Sequence, residues 1–317
     1  VRGWLFGLGP ALVVALGIAC GSEASEPTRP APVGDAATAF RAKVRHARLS
    51  DGTRIAWYER GAGPPLVMAT GTGSTMAEWD PALLRLLARH RRLILFDYPG
   101  IGRSSPLRGR RTSFAALADD VARFMVAIGV PQADVLGWSM GGFVAQQLAI
   151  RHPERLRRMV LAGTNPGGDL AVLGPPAAQE IDSDPGRSDE AALRVLYPQT
   201  RGGQAEGRRF RRRLERSSET GEIPDDFRVP DATVRAQVEA EDPWLRSNAN
   251  SRALRRVAIP TLATGGTLDP VTPPVNMRRV ARLIPGARLE LFAGGAHAFL
   301  FQFRDRFAAS VDRFLGG

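Results

Sequence analysis

The 317-residue chain contains a single cysteine, Cys20, and a single lysine, Lys43. One thiol excludes an intramolecular disulfide, so no covalent cross-link within the chain holds the fold. The near-absence of lysine means that the formal charge of +11 comes almost entirely from arginine. Most of these arginines are scattered among acidic neighbours rather than gathered on one element with interleaved aromatics, so no nucleic-acid partner is expected. No internal repeat is visible. With 44% hydrophobic residues, the chain is long enough for one large α/β domain with an insertion, or for two ordinary domains.

The most apolar segment is WLFGLGPALVVALGIAC, which ends at Cys20. Residues 3–19 carry no charge, Arg2 precedes them, and the polar run GSEASEPTRPAPVGDAA follows. A basic end, a short apolar region and small residues before a break read as a secretory signal, too short and too poorly flanked for a membrane-spanning helix. Small residues before a cysteine also read as a bacterial lipoprotein cleavage site, although Gly17 stands where an aliphatic residue is more usual. The expectation is a signal over 1–19, lipidation at Cys20, and an exported protein anchored on a membrane, facing the periplasm or cell exterior. A basic surface would assist such an anchor on anionic lipid. An ordinary cleaved signal or an uncleaved anchor are the alternatives.

After a linker over residues 20–35, strand and helix patterns alternate. HARLSDG and TRIAWYERG read as a hairpin joined at Asp51-Gly52. PLVMATG, RRLILFDYPG, ADVLGWS and RRMVLAGTNP read as buried strands, and DPALLRLLARH, SFAALADDVARFMVAIG and MGGFVAQQLAIRHPERL as the helices between them, the second with a serine N-cap. Such alternation predicts an α/β fold, a mostly parallel central sheet with helices on both faces. The pattern lapses over 166–252, where DEAALRVLYP, GRRFRRRLERS and VRAQVEAEDPWL suggest an inserted, mainly helical lid. It then resumes through IPTLATGGTLD, PPVNMRRVARLIP, ARLELFAGGAH and a terminal helix. The expected division is a core of 36–165 and 253–317 around a lid of 166–252. In GRRFRRRLERS, Phe210 and Leu214 stand four apart as an inner face, with the arginines on a solvated face or against anionic headgroups. Trp244, Leu245 and Tyr197 are candidate lid residues facing a ligand.

Ser139 lies in Gly137-Trp138-Ser139-Met140-Gly141, between the end of a strand and the start of a helix. G-x-S-x-G in that context is a sharp turn that exposes a serine above the sheet, where the Met140 N–H can face a developing oxyanion. Trp138 and Met140 place bulk beside it. A serine needs a base. Of the four histidines, His90 and His152 follow helices and His46 sits in a strand, whereas His297 occupies the loop Gly294-Gly295-Ala296-His297 after a late strand. Asp269, in the loop after the preceding strand, is the favoured partner for His297, with Asp169 and Asp182 as alternatives; Asp269 could instead cap the following helix.

With Ser139, Asp269 and His297 in that order, the chain after residue 40 resembles the α/β-hydrolase fold family. DYPGIGRSS, residues 97–105, resembles that family's D-x-x-G-x-G-x-S turn, and Trp79 stands where it often has an aromatic. Where many members have His-Gly after the third strand, this chain has Thr70-Gly71-Thr72-Gly73. By that position Thr72 would give the second oxyanion N–H and Gly71 the close approach. The resemblance implies a serine hydrolase cleaving a small-molecule carboxylic ester through an acyl-enzyme, with no metal or organic cofactor. Lactone hydrolysis, C–C bond hydrolysis and acyl transfer run on the same triad, and a non-catalytic, lipid-anchored binding protein is the alternative from another class. No feature assigns an oligomeric state.

Overall fold

The computed structural model describes residues 40–107, 109 and 111–316. The expected signal over 1–19, Cys20 and the linker over 20–35 lie outside the described residues. Among the described residues no helix is long and apolar enough to cross a membrane.

Eight strands of the described residues form one sheet: β1 (Arg45–Arg48), β2 (Arg54–Arg60), β3 (Pro65–Ala69), β4 (Arg92–Phe96), β5 (Ala133–Trp138), β6 (Leu156–Ala162), β7 (Thr261–Gly266) and β8 (Arg288–Phe292). Their order is β1-β2-β4-β3-β5-β6-β7-β8. β2 runs antiparallel to both neighbours, β1 and β4, while β3 to β8 are mutually parallel. The hairpin turns at Gly52, whose φ of 83° suits glycine. β5 is buried at every position because helices cover both faces, which is why its sequence reads as an apolar run rather than an alternation.

Core helices are α1 (Pro81–Leu87), α2 (Phe114–Ala127) and α3 (Met140–Arg151). Asp80 caps α1 by accepting from the Ala82 N–H at 2.8 Å, and Ser113 caps α2 by accepting from Ala116 at 3.1 Å. Between β6 and β7 come six further helices: α4 (Pro176–Ser183), α5 (Asp189–Leu196), α6 (Arg201–Glu219), α7 (Asp231–Glu239), α8 (Glu241–Arg246) and α9 (Ala249–Leu254). The chain closes with α10 (Pro274–Leu283), α11 (Phe299–Gln302) and α12 (Arg304–Leu315). One apolar cluster joins α2, α3 and α10 to one sheet face, and another joins α1 and α12, with Phe210 of α6, to the other.

The chain steps from β3 outward to β4 and then back across to β5, so the strand order reverses between β3 and β5. Loops leaving the carboxyl ends of strands at such a reversal diverge to opposite faces and leave a crevice. Residues 70–75 and Ser139 follow the two strands that flank it, and the inserted helices stand above it. Three arginines of the α6 run are ion-paired: Arg213 with Asp80 at 2.6 Å and Glu206 at 3.0 Å, Arg209 with Glu206, and Arg211 with Asp189 at 2.5 Å.

Candidate active site

β5 ends at Trp138 and α3 begins at Met140, leaving Ser139 alone to turn the chain. Its φ of 55° is the only positive value at a non-glycine residue among the described residues. A conformation of this kind costs about 1–3 kcal/mol and persists only where the surroundings enforce it. They do so here through close backbone packing. A Cβ at Gly137 would sit 2.3 Å from the Gly141 carbonyl oxygen, and one at Gly141 would sit 2.1 Å from that of Ala69. The Ser139 N–H donates to the Ala162 carbonyl of β6 at 2.9 Å, which pins the turn to the sheet.

His297 follows β8 and is 1% exposed. Its Nδ1 lies 2.9 Å from Asp269 Oδ2, and its Nε2 has no hydrogen-bond partner among the described residues. Asp269 is fixed in turn: Oδ1 accepts from the Val271 and Thr272 N–H groups, and Oδ2 from the Thr272 hydroxyl, all at 2.9 Å. The aspartate therefore both shapes the turn before α10 and holds the histidine. The alternatives fall elsewhere, since Asp169 accepts from Asn248 and Asp182 faces the cavity without a bond to His297. Burial alone would lower the imidazole pKa, but the charge and hydrogen bond of Asp269 outweigh it and hold His297 above its ordinary value. Asp182 acts in the same direction and Arg187 against it. Among the other histidines, His152 bonds Asp119 at 2.7 Å and His46 lies 3.3 Å from the Arg103 carbonyl, both away from Ser139.

Trp138 lines the cavity beside Ser139 and also donates from Nε1 to the His297 carbonyl at 3.1 Å, tying the histidine loop to β5. Trp79 packs edge-on against Phe301 and tilts against Trp138, so the aromatic expected after the β3 loop supports this wall from behind.

The loop after β3 passes directly over the serine: a Cβ at Gly71 would lie 3.2 Å from Ser139 Cβ. Where a histidine is common, Thr70 donates its hydroxyl to the Ser74 carbonyl at 3.2 Å and closes the loop on itself. Thr72 lines the cavity. Met140 is the first residue of α3, so its N–H has no acceptor within the helix. The far end of the loop is held from two sides. Asp97, at the end of β4, accepts from the Met76 N–H at 2.7 Å, and Gln237 of α7 accepts from the Gly73 N–H at 2.9 Å. The Thr72 hydroxyl is 3.5 Å from Glu241 Oε1.

These residues surround a cavity of about 290 Å³. Ser139, His297 and Thr72 form its floor, Leu196 and Phe210 reach it from α5 and α6, and Phe227 from the loop between α6 and α7. It is more polar than the sequence suggests, because Glu78, Asp182 and Arg187 also face it. Burial pushes the Glu78 carboxyl up to about 7, against its bond from the Thr75 N–H, and pushes Glu241 up to about 8, helped by Asp182. The expected ligand-facing aromatics are placed differently. Trp244 is wedged between Phe114 and Phe143 with its Nε1 on Asn165, and Tyr197 is fully buried against Phe210. Leu245 borders a separate hollow on the other side of Thr72. Gln237, Glu78, Thr272 and Arg187 were not marked by any local pattern. Only the Ser-x-x-Glu-like spacing of Thr75 and Glu78, which closes a capping box, could have drawn attention to one of them.

Comparison with known proteins agrees with this fold. The profile of the alpha/beta hydrolase fold matches residues 64–303. A poly(3-hydroxyalkanoate) depolymerase from Ectopseudomonas oleovorans is 30% identical over 79% of this chain and 84% of its own length. The polyketide synthase ThaQ of Burkholderia thailandensis is 30% identical over 84% of this chain, which spans only 12% of that much longer protein. Among solved structures, an alpha/beta hydrolase fold protein from Chitinophaga pinensis superposes with a TM-score of 0.75 and 25% identity, over 86% of this chain and 97% of its own. The reversed strand order, the inserted helices and a match that runs from β3 to the end of α11 all describe one lineage, and the chain belongs to the alpha/beta hydrolase fold family.

Proposed function

We propose that the protein is a serine hydrolase that cleaves carboxylic esters through an acyl-enzyme. The observation that carries this reading is the buried 2.9 Å pair of Asp269 and His297, whose Nε2 is left without a partner in the cavity wall that it shares with Ser139. A carboxylate can only accept, so Asp269 keeps the proton on Nδ1 and leaves Nε2 as the base. Ser139 Oγ attacks the ester carbonyl as Nε2 takes its proton, and the oxyanion accepts from the Met140 and Thr72 N–H groups. Nε2 then protonates the departing alcohol. Water enters, gives its proton to Nε2 and attacks the acyl carbonyl, and Ser139 leaves with that proton as the acid is released. The relative named for poly(3-hydroxyalkanoate) depolymerisation adds support for ester chemistry.

Hydrolysis of p-nitrophenyl esters from acetate to palmitate, with Ser139→Ala as control, tests the reading. Turnover that Ser139→Ala abolishes is the expected result. Labelling of Ser139 by a fluorophosphonate without cleavage of any ester would turn the assignment toward lactones, C–C bonds or acyl transfer, and a folded protein that is neither labelled nor active would favour a binding role. The sequence also supports export and lipid attachment at Cys20. Detergent-phase partition of the protein should then be lost in Cys20→Ser, and partition that persists would contradict the anchor.

A further inference from the structure

The cavity over Ser139 does not end at the inserted helices. A second chamber of about 540 Å³ adjoins it, and the two share the walls formed by Glu78, Asp189, Ala192, Leu196, Phe210 and Phe227. Beyond that junction the second chamber continues between α5 and α6 along Leu193, Leu214 and Ser218. Of the charged groups that border it, Arg211 pairs with Asp189 at 2.5 Å and lies 3.9 Å from Glu215, while Glu78 and Glu219 also face it. Between these groups the walls are aliphatic and aromatic, formed by Ala192, Leu193, Leu196, Phe210, Leu214 and Phe227. Phe227, 43% exposed, sits at the junction and presents an apolar ring to both compartments.

The first cavity, at about 290 Å³, is at the small end of the range for ligand sites, whereas the two together reach the range that encloses an extended molecule. Apolar walls hold water poorly, and an apolar chain displaces that water with a gain set by the area it buries.

We infer that the substrate is an ester with an extended apolar tail, and that this tail lies in the chamber between α5 and α6 while the ester carbonyl rests over Ser139. The inference rests on the ester reading above and names its substrate class. Phe210 and Phe227 form the passage between the two compartments. Leu214 and Ser218 border only the outer one, so changes there reach the tail and leave the reacting groups untouched.

The test uses two ester series, one lengthened in the acyl chain and one in the alcohol, assayed by proton release with wild type, Leu214→Trp and Ser218→Trp. In at least one series kcat/KM should rise about fourfold per added methylene until the chamber is full, the equivalent of about 0.8 kcal/mol each. Both variants should cleave acetates as wild type does and lose the rise. Ser218→Trp replaces a half-buried helix residue and keeps the test sharp if Leu214→Trp fails to fold. Folded variants with the chain-length profile of wild type would overturn the inference while leaving the ester reading intact. A wild type that cleaves no ester, acetates included, would overturn both.

Discussion

Replacing Gln237 with leucine leaves the Gly73 N–H without its acceptor. The bond is 2.9 Å long, Gln237 is 1% exposed, and Val234 of the same helix lies against Gly73, so on the α7 side the freed donor meets only apolar atoms. An unmade hydrogen bond in such a place costs about 1–3 kcal/mol. The loop can recover that cost by turning the Gly73 amide toward the cavity, and the Thr72 N–H, one residue earlier, moves with it. If that donor serves the transition state, the loss falls on kcat as a reduction of about 5- to 150-fold, with KM nearly unchanged because the cavity walls stay in place. Steady-state kinetics on a short p-nitrophenyl ester, together with a thermal melt, separate the outcomes. A lowered melting temperature with kcat equal to wild type would refute the reasoning, since the bond would then only brace the lid.

Other expectations follow from the same geometry. Asp269→Asn should lower kcat by a factor on the order of 10⁴, the size found when a triad aspartate is replaced in a serine protease, and should move the acid limb of the kcat/KM profile to lower pH, because Asp269 is what lifts the His297 pKa. Trp138→Phe removes the donor to the buried His297 carbonyl and should reduce kcat several-fold by about 1 kcal/mol or more, measured on the same ester, while unchanged kcat would deny the indole a positioning role. Asp97 and Glu78 are each raised to about 7 and Glu241 to about 8, chiefly by burial. Carboxyls raised on folding contribute stability that is present below their unfolded pKa and lost as pH rises through the folded value, so the melting temperature should fall between about pH 4.5 and 8. Glu241→Gln should flatten that slope, and a melting temperature that rises over this window would contradict the assignment.

The core was legible in the sequence because its signals are local. Strand–helix alternation, the Asp51-Gly52 turn and the Ser113 cap each depend on neighbours a few residues away, and so does the glycine spacing around Ser139. His297 and Asp269 could be found because each follows a recognisable apolar strand. The hold on the loop after β3 could not, since Gly73 and Gln237 are 164 residues apart and nothing periodic links them. Lid aromatics misled for a related reason. Trp244 has the same composition signal whether it faces a ligand or fills the gap between Phe114 and Phe143, and only the packing of α8 against the core decides. Thr272 was hidden because its hydroxyl matters only once Asp269 is known to turn toward His297.

The positive φ of Ser139 gives the chain an uneven relation between durability and purpose. Glycine is the residue that this backbone position would accept without strain, and a sequence refined for thermal endurance alone would drift toward it. Ser139→Gly should therefore yield a protein that outlasts its parent on heating while performing no acyl chemistry. Anyone hardening this scaffold for use as a catalyst would have to seek the gain at positions far from that turn, leaving its discomfort in place.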